Sequence, residues 1–289
     1  MVLSMNGRIA LTCFALSTLL SFSLLPLSAS SEWLNKLFRE HWFYATILFS
    51  LLLQLFIANV YKRTDYVYKI AWRATLLASG FTLGLFISFL ASNSWKVFGW
   101  YLSVLCFFHC SEYITVSIVN PKSLSLNSFL LNHSREYAMA AFLSWTEFVV
   151  ERYFFPNLKQ IWWLSVIGLL LCSFGEIIRK LAMITAGTNF NHVIQSYREE
   201  GHVLVTHGIY SIFRHPAYVG WLYWSIGTQV ILVNPICTLG YAIASWLFFK
   251  KRIESEEISL LNFFGEDYVA YQRRVKTGIP FVSGYSIER

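Results

Sequence analysis

Two short stretches of this sequence hold the residue types that can do chemistry. Residues 202 to 218, HVLVTHGIYSIFRHPAY, gather three of the seven histidines with Tyr210, Arg214 and Tyr218. Gly208 in this stretch permits a bend, and Pro216 fixes φ and suits the first turn of a helix. A helix opening at Pro216 would offer free N–H groups and a partial positive charge to a carboxylate or phosphate. Tyr210 and Tyr218 can pack on a flat ring. The second stretch, RIESEE, places Arg252 and Glu256 four residues apart, on one face of a helix. Arginine is a planar fork that matches a carboxylate, and Glu256 or Glu257 can hold an ammonium. Two readings stand side by side. One is a site for a polar ligand that carries an anionic group and an aromatic base. The other is an intrahelical Arg252–Glu256 pair on a solvated helix, with His202 and His207 as ordinary loop residues.

Other polar residues interrupt apolar runs. Cys106, His109 and Cys110 share a helical face that a metal could use, but no further ligands accompany them. They read instead, with Glu112, as a bundle-facing polar cluster or the lining of a substrate path. Glu147 also falls in an apolar run. Glu176 precedes Arg179 and Lys180 by three and four residues, so these three are expected to pair along one helix. Cys13, Cys106, Cys110, Cys172 and Cys237 all lie in apolar segments with no CxxC pair, the pattern of small buried thiols rather than disulfides.

The elements that must position these groups are membrane helices. The 289 residues are 56% hydrophobic and only 13% charged, where a soluble protein carries about a quarter charged. Aromatics at 18% suit membrane interfaces. The net charge of +7 comes without a basic run long enough to track a phosphate backbone, so a lipid bilayer is the expected partner and nucleic acid is not. The fold class expected is all-α, a polytopic membrane bundle of about eight transmembrane helices. Its spans cover roughly 9–29, 42–60, 70–90, 97–119, 137–152, 161–183, 218–233 and 236–249. In the first, LSAS resembles a signal-peptide cleavage site. The run exceeds the usual apolar core of roughly 7 to 15 residues, so a retained span is favoured. Gly80 and Gly84 are either a close-approach face for another helix or ordinary membrane glycines. The loop NPKSLSLNSFLLNHSRE is placed at the surface.

Residues 1–160 read as the N-terminal spans, about five of them. Residues 161–289 read as a catalytic core: a sixth span, a ligand loop over 184–217, a helical hairpin over 218–249 turning at Asn234–Pro235, and a helical tail. Ile253, Leu260, Leu261 and Phe264 form one apolar stripe there, and Gly265 breaks the helix. Lys62, Arg63, Lys69, Lys122, Arg135, Arg198, Arg214, Lys250, Lys251 and Arg252 fall on one side, which the positive-inside asymmetry assigns to the cytoplasm. No soluble interface is evident, so a monomer is expected.

The pieces HGIYSIFRHPAYVGW, then Asn234–Pro235, then RIESEEISLLNFFGEDYVAYQRRVKTGIPFV resemble the isoprenylcysteine carboxyl methyltransferase family. The RHPxYxG, NP and EExxLxxxFGxxYxxY elements are shared with related membrane methyltransferases. GIPFV, the full tail and the extra N-terminal spans look like the animal form. The motifs cover about the last hundred residues, and the N-terminal half is matched only in hydropathy and length. The resemblance implies an endoplasmic-reticulum membrane enzyme with its active site facing the cytosol. It would transfer the methyl of S-adenosylmethionine to the C-terminal carboxylate of prenylated CaaX proteins such as Ras-type GTPases. Carried over from the family, the cofactor positions are Gln195, His202, Val203, Leu204, Val205, Tyr210, His215, Pro216, Ala217, Tyr218 and Glu256. Arg252 is the catalytic and substrate-carboxylate arginine.

A carboxylate is ionised at neutral pH, so its attack on a methyl carbon needs no general base, and in-line positioning supplies much of the rate. A phospholipid methyltransferase shares the RHPxY-type core, but its amine nucleophile calls for a base rather than Arg252. A membrane sterol reductase has a similar arginine–histidine–tyrosine pattern with NADPH, normally in a longer chain. A lipid-binding scaffold would explain the spans and not the polar cluster.

Overall fold

The computed structural model describes residues 2–25, 30–63, 65–131, 135–198 and 200–285, and those residues are helical with no strand. The long helices are α1 (Met5–Phe22), α2 (Glu32–Val60), α3 (Tyr66–Leu90), α4 (Asn93–Val119), α5 (Arg135–Phe154), α6 (Trp162–Ala186), α7 (Pro216–Leu232) and α8 (Pro235–Phe264). The short α9 (Glu266–Arg274) follows. Each of the expected apolar segments overlaps one of α1–α8, the first running past the end of α1 at Phe22. Helices α1–α4 are long and apolar enough to cross a membrane, judged by length and composition. The candidate cleavage residues 27–29 lie outside the described residues.

Small residues let the helices that carry the site approach closely. Gly168, Cys172 and Gly175 of α6 face Gly220 and Gly227 of α7, and a Cβ on any of these glycines would meet the opposing backbone or the Cys172 sulfur. Gly84 of α3 lies against Gly99 and Ser103 of α4, and Gly80 against the Cys106 sulfur. Of the two readings of Gly80 and Gly84, close approach is the one realised. Helix α2 buries only Thr46 and Ile57.

Prolines set the hairpin. Pro216 opens α7 and Pro235 opens α8, and Val233 turns the chain with φ of 53°. The Glu147 carboxylate of α5 accepts from the Ile236 and Cys237 N–H groups, at 2.8 and 2.7 Å, and caps α8. The hairpin arm and the tail are one continuous helix rather than a short span followed by a separate element. Arg252 and Glu256 therefore ride on a rigid extension of the apolar part of α8. Gly265, with φ of 51°, ends that helix as expected.

The segment after α4 is a surface loop only in part: Pro121, Lys122, Ser125 and Asn127 are exposed, while its end turns inward. Its Phe129 is fully buried, stacked on Tyr113 at 3.9 Å, and Asn120 donates to the Thr188 and Phe190 carbonyls at 3.1 and 3.0 Å. Asn120 thus anchors the chain where it enters the ligand loop. Residues 132–134 of that segment lie outside the described residues.

Candidate active site

The hairpin brings the ends of α7 and α8 that carry the polar motifs together. Ser225 and Ser245 hydroxyls meet at 3.0 Å, Tyr218 stacks on Phe249 at 5.2 Å, and Arg252 Nε donates to the Tyr218 hydroxyl at 2.9 Å. The loop over 187–215 crosses above them. The C-terminal segment clamps that loop, with Arg214 N–H donating to the Lys276 carbonyl at 2.8 Å and His215 N–H to that of Thr277 at 3.2 Å. Tyr271 donates its hydroxyl proton to the Tyr210 carbonyl at 2.5 Å.

Between these parts lies a polar cavity of about 120 Å³. Gln195, His202, Tyr210, His215, Pro216, Ala217, Tyr218, Arg252 and Glu256 line it. Val203, Leu204 and Val205 do not. Val203 is exposed and gives its N–H to the Asn189 side chain at 2.9 Å, while Leu204 packs with Leu261, Tyr268 and Tyr271. Asn189, Asn191, His192, Ser259, Phe263 and Arg179 also line the cavity. The first three belong to a run, NFNH, whose polarity at the close of an apolar helix was their only signal in the sequence.

Three arginines border this cavity, and their partners differ. Arg179 is buried and forked onto Glu112 of α4, with Nε and Nη2 at 2.8 and 2.7 Å from its two oxygens. The expected Arg179–Glu176 pairing is therefore replaced. Glu176 keeps Lys180, at 3.3 Å, but Lys180 lies closer to Glu112, at 2.5 Å. Arg214 is buried too, not a surface cation: its Nε donates to Glu257 at 3.0 Å and its fork caps the Gln272, Val275 and Ser283 carbonyls. Arg252 donates to the Tyr218 hydroxyl and the His192 carbonyl and has no carboxylate partner among the described residues. The intrahelical pair with Glu256 does not form.

His215 stands between two carboxylates, Nε2 at 3.0 Å from Glu257 and Nδ1 at 3.6 Å from Glu256. Burial by itself would favour its neutral form. Glu256 and Glu257 outweigh burial and raise its pKa to about 9. Burial opposes ionisation of Glu256 and Glu257 as well, yet His215, with Arg252 for the first and Arg214 for the second, holds both below the usual carboxylate range. Glu256 Oε2 is buried and makes no hydrogen bond, its nearest cation being the His215 ring at 3.6 Å, so it can still accept from a ligand donor. The site thus offers a fixed cation at Arg252, an underused carboxylate at Glu256, and aromatic rings between them.

A second cavity, about 740 Å³ and mainly apolar, lies among α2, α3, α4, α5, α7 and α8. Trp221, Phe248 and Phe249 line both cavities. His109 borders the apolar one, its ring bonded to the Phe129 carbonyl at 2.9 Å and the Tyr137 hydroxyl at 3.1 Å.

Comparisons with known proteins point the same way. The sequence model of the isoprenylcysteine carboxyl methyltransferase (ICMT) family matches residues 166–262. The chain is 49% identical over 290 residues to protein-S-isoprenylcysteine O-methyltransferase of Xenopus laevis, covering 98% of this chain and 97% of that protein. It is 57% identical over 221 residues to the Homo sapiens enzyme of the same name, covering 76% and 78%. A solved structure of the eukaryotic intramembrane Ras methyltransferase ICMT superposes with a TM-score of 0.90 at 46% identity, covering 98% of this chain and all of that one.

Proposed function

This chain belongs to the isoprenylcysteine carboxyl methyltransferase family, and we propose that it methylates the C-terminal carboxylate of prenylated cysteine where its two cavities meet. The observation that carries the location is Arg252. It is the one site arginine without a carboxylate partner among the described residues, and the aromatic wall beside it opens on an apolar cavity. A molecule with an anionic head and a greasy tail matches that junction. The family matches favour this substrate over an ethanolamine headgroup or a sterol.

The methyl donor is S-adenosylmethionine, which supplies an electrophilic methyl group on a sulfonium. Residues around the polar cavity match its chemical groups. Glu256, whose Oε2 makes no hydrogen bond, suits the ammonium. The N-terminus of α7 at Pro216 suits the carboxylate, and Tyr210, His202 and Phe263 suit the adenine. Gln195, His215, Ala217 and Tyr218 complete that side. Arg252 orients the substrate carboxylate, and the Tyr218 hydroxyl and His192 carbonyl share its charge so that the nucleophile is not fully neutralised. Trp221, Phe248 and Phe249 exclude water at the junction and lead the prenyl chain inward.

The substrates are CaaX-processed proteins, Ras-type GTPases among them. The enzyme is a monomer with eight spans in the endoplasmic-reticulum membrane and its site on the cytosolic face. Residues 1–160 are the N-terminal spans, of which α2–α5 line the lipid path, and residues 161–289 form the catalytic core, whose α7 and α8 complete that path. The test is purified protein in nanodiscs with labelled S-adenosylmethionine and N-acetyl-S-farnesylcysteine. A base-labile methyl ester is expected. Label in phospholipid instead, or NADPH-dependent sterol reduction with no ester, overturns the reading.

A further inference from the structure

Glu112 lies on α4, outside every motif of the site, and is fully buried. Its two oxygens receive the Arg179 fork at 2.8 and 2.7 Å, Lys180 Nζ at 2.5 Å and His192 Nε2 at 3.0 Å. Two of these partners reach the site directly. Arg179 Nη1 donates to the Ala217 carbonyl at 3.1 Å, in the first turn of α7, and its guanidinium lies 4.6 Å over the Trp221 ring. The His192 carbonyl receives the Arg252 guanidinium, and the His192 ring that Glu112 holds belongs to the same residue. One carboxylate therefore grips both walls of the polar cavity: the start of α7 on one side and the seat of Arg252 on the other.

We propose that Glu112 is the positioning residue that registers the cofactor wall against the substrate arginine, acting through Arg179 on Ala217 and through His192 on Arg252. The physical need is geometric. Methyl transfer has no proton to move, so its rate rests on alignment, and an error of about 1 Å can cost on the order of a hundredfold. Arg252 and Ala217 sit on different helices whose shared turn is at the far end of the hairpin. Within the site itself, the Arg252–Tyr218 hydrogen bond, the His215–Glu257 pair and the Tyr218–Phe249 stack tie the two helices directly. Glu112 adds a further tie from a third helix. A buried carboxylate with three cationic or N–H partners is rigid, because each partner it loses would leave a charge unpaired. This role rests on the prenylcysteine methyltransferase reading above.

The test separates the two arms in purified, nanodisc-embedded protein by measuring S-adenosylhomocysteine Kd and the KM for N-acetyl-S-farnesylcysteine. His192→Phe keeps the ring that packs on Phe190 and loses the hydrogen bond to Glu112. It should raise the prenylcysteine KM about tenfold and leave the Kd within about twofold. His192→Gln restores an N–H donor and should return KM toward wild type. Glu112→Gln should raise both KM and Kd. If Glu112→Gln does not fold, the contrast between His192→Phe and His192→Gln still decides the Arg252 arm. An unchanged KM in His192→Phe, or equal losses in the Phe and Gln variants, overturns the relay. A wild-type protein that forms no methyl ester sinks the underlying reading instead, so the two failures are told apart.

Discussion

Arg252 Nε donates to the Tyr218 hydroxyl at 2.9 Å, joining the interior of α8 to the first turn of α7. Arg252→Ala should raise the prenylcysteine KM about ten- to a hundredfold, the worth of a charge-assisted hydrogen bond, while cofactor affinity changes little. Arg252→Lys should recover only part of this, since an ammonium lacks the planar fork. Glu256→Ala should do the reverse, weakening S-adenosylhomocysteine binding and sparing the prenylcysteine KM. Calorimetric Kd values and initial rates on all three variants check the assignment. A Kd loss in Arg252→Ala equal to its KM loss would mean the roles are shared or swapped.

Much of this arrangement was legible in the sequence, and the limits have physical causes. Pro216, Asn234–Pro235 and Gly265 mark helix ends because their backbone constraints are local. The hydropathy break over 184–217 marks a segment that lines the polar cavity in part. Glu112 was visible only as a charge in an apolar run, because its partners are 67 to 80 residues away. Within one helix the carboxylate in reach of Arg179 is Glu176, and only the fold brings Glu112 to it. Nothing local to Arg214 announces Glu257. Phe129 looked like loop surface for the same reason: the ring it stacks on belongs to another element.

The cluster of His215, Glu256 and Glu257 makes stability depend on pH in a defined direction. His215 has its pKa raised from 6.5 to about 9. Its contribution is therefore complete below about 6.5 and is lost as pH climbs through 9. Glu256 and Glu257 are held below 4.5, so their contribution is present above that value and is lost as pH falls through their lowered pKa values. Thermal unfolding in nanodiscs should show greatest stability between about pH 5 and 7 and a decline on the order of 3 kcal/mol toward pH 10. His215→Gln should be less stable at neutral pH and flat on the alkaline side. An alkaline decline that survives in His215→Gln would place its origin elsewhere.

The α6–α7 crossing predicts a contrast between glycines. A Cβ at Gly220 would lie 2.5 Å from the Gly175 carbonyl oxygen and 2.7 Å from the Arg179 backbone nitrogen. Both contacts are backbone, so neither can step aside. Gly220→Ala should destabilise the protein by about 1–3 kcal/mol and weaken cofactor binding, because α7 is pushed away from Arg179. Gly240 of α8 has nothing within 4 Å of its Cβ position. Gly240→Ala should be neutral or stabilising by up to about 1 kcal/mol. Equal unfolding temperatures for the two variants would show that the crossing is looser than its backbone contacts require.

Prenyl chain length should be read at the far end of the apolar cavity. Trp145 Nε1 donates to the Tyr101 hydroxyl at 3.0 Å, and both residues line that cavity together with Tyr241. Tyr241 lies about 16 Å along α8 from Arg252 at 1.5 Å per residue. With the carboxylate held by Arg252 as proposed, the prenyl chain is expected to end against this aromatic cluster. A geranylgeranyl chain is one isoprene unit longer than farnesyl and reaches the cluster first. Trp145→Ala should shift the ratio of kcat/KM for geranylgeranyl over farnesyl analogues upward by about tenfold, the scale on which apolar pockets discriminate size. Tyr101→Phe leaves the volume nearly unchanged but removes the acceptor of the Trp145 N–H. It should cost about 1–3 kcal/mol of stability with little change in the ratio. The two variants separate the cluster as a ruler from the cluster as a strut. A Trp145→Ala enzyme that loses activity on both chains equally would assign the pair to packing alone and move the length limit to another wall.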